Sequence, residues 1–147
     1  MANYERYSLA SLITTGLIFA YFCMRMLDGL HIVDYPPESL FWVYLTVLIL
    51  FIIAETVNAS IFLSRKTIAE DERDFSIKAK AGRNGDFVVM ALINMVIFIV
   101  LANYAFTEYE ATNIDITHPP ALFFHLFGIL IVGTLVERIS ALVYYQR

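Results

Sequence analysis

Four long apolar stretches divide the chain, and each is interrupted by few charged positions. A helix needs about 20 mostly apolar residues to cross roughly 30 Å of hydrocarbon, and each stretch is that long. Helices are expected because unclosed strands would leave backbone groups unpaired in lipid. The pattern predicts an all-α integral membrane protein, one four-transmembrane-helix bundle over residues 1–147, with spans at about 7–26, 40–63, 87–106 and 120–145.

Composition agrees with this pattern. The hydrophobic set makes up 59% of the chain and charged residues 16%, against about 45–50% and roughly 25% in soluble domains. The net charge of −4 gives no basic face for nucleic acid. A single cysteine, Cys23, excludes an internal disulfide and a CxxC redox pair. The first span is too long for a signal peptide and lacks a small-residue cleavage site, so we expect it to be retained.

Basic residues set the expected direction of the spans. The loop 65–86 between spans two and three holds six of the ten Lys and Arg residues, whereas the loop 107–119 holds none. By the positive-inside rule the first of these loops and both termini are cytoplasmic. Four tyrosines are then expected in the inner aromatic belt, namely Tyr4, Tyr7, Tyr144 and Tyr145.

An internal repeat is the second large-scale feature. Proline pairs, Pro36-Pro37 and Pro119-Pro120, open spans two and four, where the missing N–H is harmless. The segments that begin at Leu40 and Leu122 align without a gap, and the alignment matches Glu55 with Glu137. Two tandem two-helix hairpins related by a pseudo-twofold axis along the membrane normal explain this match. Two unrelated hairpins that share a proline habit explain it equally well.

Each span also carries a polar side chain on the inward side of its midpoint. A charge at that depth costs at least about 2.5–3.5 kcal/mol, so these groups should face the bundle interior and find partners. Small and polar residues at Ser8, Ser11 and Thr15 mark the interior face of the first span. The candidate cluster is Thr14, Glu55, Asn58, Asn94, Glu137 and Arg138.

One arginine cannot neutralise two carboxylates by pairing. If Arg138 pairs with Glu55, then Glu137 must be protonated, hydrated or paired by a bound cation. A buried carboxylate that exchanges a proton serves proton- or cation-coupled transport. The alternative is a hydrogen-bonded clamp that keeps the helices in register, and we favour it because structural ion pairs are common in such clusters.

The cytoplasmic loop alternates basic and acidic side chains. Residues 68–81 predict a short charged helix that either lies at the inner interface or extends the third span. A solvated connector, closed by a turn at Arg83-Asn84-Gly85, is the favoured interpretation.

One segment of this loop has a distinctive order of residues. Asp71-Glu72-Arg73-Asp74 is followed by Ile77, Lys80, Ala81 and Arg83. The segment resembles the D-E-R-D-x-x-I-x-x-K-A-x-R signature of a family of small prokaryotic four-helix membrane proteins, described only as a domain of unknown function. The resemblance covers these 13 residues and the hairpin layout. It implies a bacterial or archaeal inner membrane and a loop recognised in the cytoplasm, with contacts at Asp71, Glu72, Arg73, Asp74, Lys80 and Arg83.

Other chemistry is weakly represented. His31, His118 and His125 fall on the outer side without metal-ligand spacing, so no metal site and no cofactor are predicted. A b-type haem needs two facing histidines within the bilayer, which only a dimer could supply. The favoured function is a membrane-anchored interaction or regulatory module, with the lipid bilayer, a cytoplasmic protein and a second copy of the chain as partners. A small proton- or cation-coupled transporter is the alternative, and an enzyme or electron carrier ranks third.

Overall fold

The computed structural model describes residues 3–29, 31–63, 72–105 and 118–146. Two strands of two residues each pair antiparallel after the first helix, with Leu27 opposite Ile32. Each of the four helices in the described residues is long and apolar enough to cross a membrane. The elements are α1 (Asn3–Met26), β1 (Leu27–Asp28), β2 (His31–Ile32), α2 (Pro37–Phe62), α3 (Glu72–Ala105) and α4 (Pro119–Gln146).

Proline residues open two of the helices, as the sequence predicts. Helix α2 begins at Pro37, directly after Pro36 in an extended conformation, and α4 begins at Pro119. Proline fixes φ near its helical value and lacks an N–H that has no partner in the first turn. The proline pairs therefore mark both helix starts, and α2 begins without a side-chain cap.

Helix α3 corrects the prediction for the inner loop. It is continuous over 34 residues from Glu72, about 51 Å at 1.5 Å per residue. The solvated connector and the turn at 83–85 are therefore wrong for residues 72–86. Ile77, Ala81 and Gly85 recur at four-residue spacing and are buried, so packing overrides the local turn preference of Asn84-Gly85. The rest of the predicted loop, 65–71, lies outside the described residues.

The helices pack in the order α2, α1, α4, α3. Helix α1 contacts both α2 and α4, and α4 contacts α3 along its length. Among the described residues, α2 and α3 form no comparable pair. A twofold axis relating the two hairpins would map the α1–α4 contact onto an α3–α2 contact, so this packing does not display the expected axis. The sequence duplication itself stays a prediction.

Two buried clusters lie at opposite ends of the molecule. At one end Phe22 and Met26 are fully buried with Val43, Val47 and Ile131. At the other end α1, α3 and α4 meet around Tyr4, Tyr7, Ile77, Ala81 and Ala141. The tyrosine ring centroids of Tyr4 and Tyr145 are 6.3 Å apart, which brings the start of α1 beside the end of α4. Polar side chains occupy the space between the clusters.

Glycines permit the close approach of α3 and α4. A Cβ atom on Gly85 would lie 2.9 Å from the carbonyl oxygen of Gly133 and 3.2 Å from Cβ of Glu137. These distances are shorter than van der Waals contact, so a side chain there would push the helices apart. The two glycines thus bring α3 against the segment of α4 that carries Glu137 and Arg138.

Candidate functional site

Arg138 lies at the centre of a buried polar network on α1, α2 and α4. Arg138 and Glu55 each lie about 8 Å from the midpoint of their helices, at 1.5 Å per residue. Their side chains are 11% and 21% exposed. Arg138 and Glu55 therefore lie at one depth, away from the ends of α4 and α2.

The guanidinium group of Arg138 makes direct contacts with all three helices. Its Nε atom donates to Ser11 Oγ at 3.0 Å, and Nη1 donates to Glu137 Oε1 at 3.0 Å. Nη2 donates to Tyr7 OH at 3.0 Å and lies 3.5 Å from Glu55 Oε2. The guanidinium carbon is also 4.8 Å from the centroid of the Tyr7 ring, a cation–π distance. The planar fork of donors suits this many partners, which a lysine could not reach together.

Two hydroxyl groups of α1 connect Arg138 to Glu55. Tyr7 OH donates to Glu55 Oε2 at 2.6 Å, and Ser11 Oγ donates to Glu55 Oε1 at 2.5 Å. Each hydroxyl also accepts a hydrogen bond from Arg138. Because a hydroxyl donates and accepts at once, the charges are linked through neutral groups as well as directly.

The network contains one arginine and two glutamates. Arg138 pairs with both Glu55 and Glu137, at 3.5 Å and 3.0 Å. With both carboxyl groups ionised, the cluster carries one negative charge in excess. The Glu137 side chain is the more exposed of the two, at 30%. One arginine therefore serves two acids instead of pairing with Glu55 alone.

Two hydroxyl groups beside the network have no hydrogen-bond partner among the described residues. They are Tyr4 OH and Ser8 Oγ, and both are buried. The ring centroids of Tyr4 and Tyr7 are 5.8 Å apart. A buried polar group without a partner costs free energy, so these two hydroxyl groups do not stabilise the fold through hydrogen bonds within the described residues.

A second polar contact joins α1 to α2. Asn58 Nδ2 donates to Thr14 Oγ1 at 2.9 Å, and Thr14 Oγ1 lies 3.1 Å from the carbonyl oxygen of Ala10, to which it donates. Asn58 is buried. The structure therefore brings together five of the six predicted residues, with Thr14 and Asn58 as a neighbouring pair.

Asn94 does not belong to the cluster, which corrects the prediction. It is exposed and donates to the carbonyl oxygen of Met90 in its own helix, at 2.8 Å. Because α3 begins at Glu72 instead of 87, Asn94 lies in the half of α3 toward Ala105. Helix α3 contributes Asn84 on the inner side, where Nδ2 donates to Ser140 Oγ at 3.1 Å and to Tyr144 OH at 3.2 Å.

Tyr7 is the functional-site residue that sequence reasoning misses. The sequence predicts that Tyr7 lies in the aromatic belt, but it is buried within the bundle. The available signal is its spacing, since Tyr4, Tyr7, Ser8, Ser11 and Thr15 fall on one helical face. That face was assigned to the interior only from Ser8 onward.

The segment that resembles a known signature divides between three faces of α3. Ile77 and Ala81 are buried, and Asp74 Oδ1 accepts from Tyr145 OH at 2.6 Å. Arg73 and Lys80 line a cleft beside Tyr144. Glu72 and Arg83 are exposed on the side of α3 opposite the buried Ile77 and Ala81. Asp71 lies outside the described residues.

The opposite end of the molecule holds a separate group of side chains. His118 Nε2 lies 3.4 Å from Asp34 Oδ1, and both side chains are largely exposed. His125 Nδ1 lies 2.7 Å from the carbonyl oxygen of Ala121 in its own helix. In residues 3–29, 31–63, 72–105 and 118–146, no three His, Cys, Asp or Glu side chains are grouped to hold a metal ion.

The fold and network define a helical protein with four candidate membrane spans and a buried Arg138 cluster. Comparisons with protein-family models, curated proteins and solved structures find no match for this chain. Its function must therefore be argued from its own residues.

Proposed function

We propose that this chain is a multi-pass protein of a prokaryotic inner membrane, with both termini cytoplasmic, and that it acts as a membrane-anchored interaction module. Four candidate spans support the membrane location. Large apolar side chains exposed along the spans, such as Trp42 and Phe98, support it further, because soluble surfaces rarely expose apolar patches of this extent. The basic residues around Arg73 and Lys80 support a cytoplasmic location for this end.

The interaction surface that we propose is the outward face of the inner half of α3. Four residues recur at three- and four-residue spacing on one side of this helix, and all are exposed. The opposite side packs on α1 and α4 through Ile77 and Ala81. The face is Glu72, Phe75, Ala79 and Arg83, which we term the outer α3 face.

The side chains of the outer α3 face suit a protein partner. Phe75 is 67% exposed between charged residues of both signs. An aromatic anchor surrounded by polar groups is typical of the energetic centre of a protein interface. The expected partner is a cytoplasmic protein that offers an apolar pocket for Phe75 and charges complementary to Glu72 and Arg83.

The Arg138 network has a supporting role in this proposal. It joins α1, α2 and α4 directly. Helix α4 in turn packs against α3, where Gly85 contacts Gly133. The network is then a clamp that holds the helix bearing the outer α3 face in a fixed position.

Site-specific photo-crosslinking in living cells tests the interaction. A photoreactive residue at Ala79 should yield a discrete protein adduct, whereas one at the exposed Met95, on the same helix, should not. The adduct should disappear with Arg83→Glu and Phe75→Ser, and thermal unfolding of both variants should be unchanged. Equal adducts at both positions, or an adduct that survives these substitutions, would contradict the proposal.

The excess negative charge of the Arg138 network favours a second candidate, a proton- or cation-coupled transporter. The unpartnered hydroxyl groups of Tyr4 and Ser8 supply further oxygen atoms beside it. Four helices enclose little space, so this candidate requires a homodimer. Proteoliposomes containing a pH-sensitive dye should show flux that Glu55→Gln or Glu137→Gln abolishes and that Glu38→Gln, at the other end, preserves. Absence of flux in the native protein removes this candidate.

A further inference from the structure

A basic cleft lies between the inner half of α3 and the end of α4. It has a volume of about 410 Å³ and is lined by Arg73, Ser76, Ile77, Lys80 and Tyr144. Arg73, Ser76 and Lys80 are spaced i, i+3 and i+7, which places them on one side of α3. This side is distinct from the outer α3 face, so the cleft and the protein surface are separate.

Each polar side chain that lines the cleft can donate a hydrogen bond to an anion. Within residues 3–29, 31–63, 72–105 and 118–146, neither Arg73 nor Lys80 forms an ion pair with a carboxylate. Tyr144 OH accepts from Asn84, so its own hydrogen remains available to donate. Asp74, next to Arg73 in the chain, accepts a hydrogen bond from Tyr145 OH. Two cations and two hydroxyl groups around one space are the chemistry that recognises phosphate.

The position of the cleft indicates where that phosphate comes from. Tyr144 is two residues from the end of α4, the level at which tyrosines meet the headgroup layer when such a helix spans a bilayer. Basic pockets between helices on the cytoplasmic side bind the headgroups of anionic lipids. Ile77 supplies an apolar wall on the side of the bundle.

We propose that the cleft binds a phosphate group, supplied by an anionic phospholipid of the cytoplasmic leaflet. The inference rests on the membrane location in the proposed function but needs no protein partner. A bound lipid would fix the inner end of α3 against α4 at the membrane surface.

Native mass spectrometry of the purified full-length protein in detergent tests this binding. Phosphatidylglycerol should be retained in preference to phosphatidylcholine with the same acyl chains. Arg73→Gln and Lys80→Gln should each lower retention about fivefold, the effect expected of one basic residue near a lipid surface. Arg6→Gln removes an exposed charge from the same end of the molecule, outside the cleft, and should have no effect. Tyr144→Phe should lower retention while keeping the fold, which guards against a result caused by misfolding.

A parallel arm with inorganic phosphate distinguishes the two sources. If phosphate raises the unfolding temperature through Arg73 and Lys80 but phosphatidylglycerol is not retained, the cleft binds a soluble phosphate, and the lipid source is wrong. If neither binds, or if Arg6→Gln lowers retention as much as Arg73→Gln, the site is overturned. Crosslinking at Ala79 probes the outer α3 face and not the cleft. A negative result in the lipid-binding experiment therefore does not bear on the proposed protein interaction.

Discussion

At the scale of single residues, Tyr4 and Tyr7 differ in what their hydroxyl groups contact, although both are buried on α1. Tyr7→Phe removes a donor to Glu55 and an acceptor for Arg138. We expect it to destabilise the protein by about 1–2 kcal/mol, since hydrogen bonds to charged groups are stronger than neutral ones but modest between membrane helices. Tyr4→Phe removes a hydroxyl without a partner and should be neutral or slightly stabilising. Thermal unfolding in detergent compares the pair, and equal losses would contradict the network.

Arg138 allows a second prediction at the same scale. Arg138→Gln leaves two partly buried carboxylates without a cation, which should cost about 3–5 kcal/mol, as breaking a buried ion pair does. Adding Glu55→Gln should recover part of this loss, because one uncompensated charge then disappears. The recovery is measured as the coupling energy of a double-mutant cycle. Strictly additive losses would show that Arg138 and Glu55 do not interact in the folded protein.

At the scale of helices, the packing of α3 on α4 depends on Gly85 of α3 and not on Gly82, about one turn earlier. A Cβ on Gly85 meets the backbone of Gly133, whereas a Cβ on Gly82 meets nothing within 4 Å. Gly85→Ala should destabilise by about 1–3 kcal/mol through overpacking, in spite of its better helix propensity. Gly82→Ala should stabilise by up to about 1 kcal/mol from that propensity. Thermal unfolding separates the two, and a stabilising Gly85→Ala would mean that the helices are not in close contact there.

Helix α3 also shows what the sequence reveals and what it conceals. The apolar stretches and the proline pairs predict α2 and α4 closely, because both signals are local. The start of α3 is missed because charged residues and Asn84-Gly85 mark a loop locally, while the burial of Ile77 and Ala81 depends on helices distant in sequence. Because the start of α3 is missed, the sequence also predicts Asn94 too close to the level of Arg138. The convergence of Glu55, Glu137 and Arg138 is predictable because buried charges in apolar helices need partners, whereas the role of Tyr7 depends on the rotation of α1.

At the scale of the whole molecule, the proposals share one requirement, that the two ends of the bundle face opposite sides of a membrane. The ends are distinguished by chemistry. One carries Arg73, Lys80 and the outer α3 face, and the other carries His118 paired with Asp34. The basic end should face the cytoplasm because positive charge is retained there.

Cysteine labelling tests this orientation directly. Cys23 is the single native thiol, so Cys23→Ser gives a background for Ala79→Cys at the basic end and Glu38→Cys at the other. Both positions are exposed in the structure. In intact cells whose outer barrier is made permeable, a membrane-impermeant maleimide should label position 38 only, and cell lysis should add position 79. Labelling of position 79 alone before lysis would show the opposite orientation. The outer α3 face and the basic cleft would then lie outside the cytoplasm. Equal labelling of both would mean that the four helices do not separate these ends across a bilayer, and the proposed site for a leaflet lipid would fail with it.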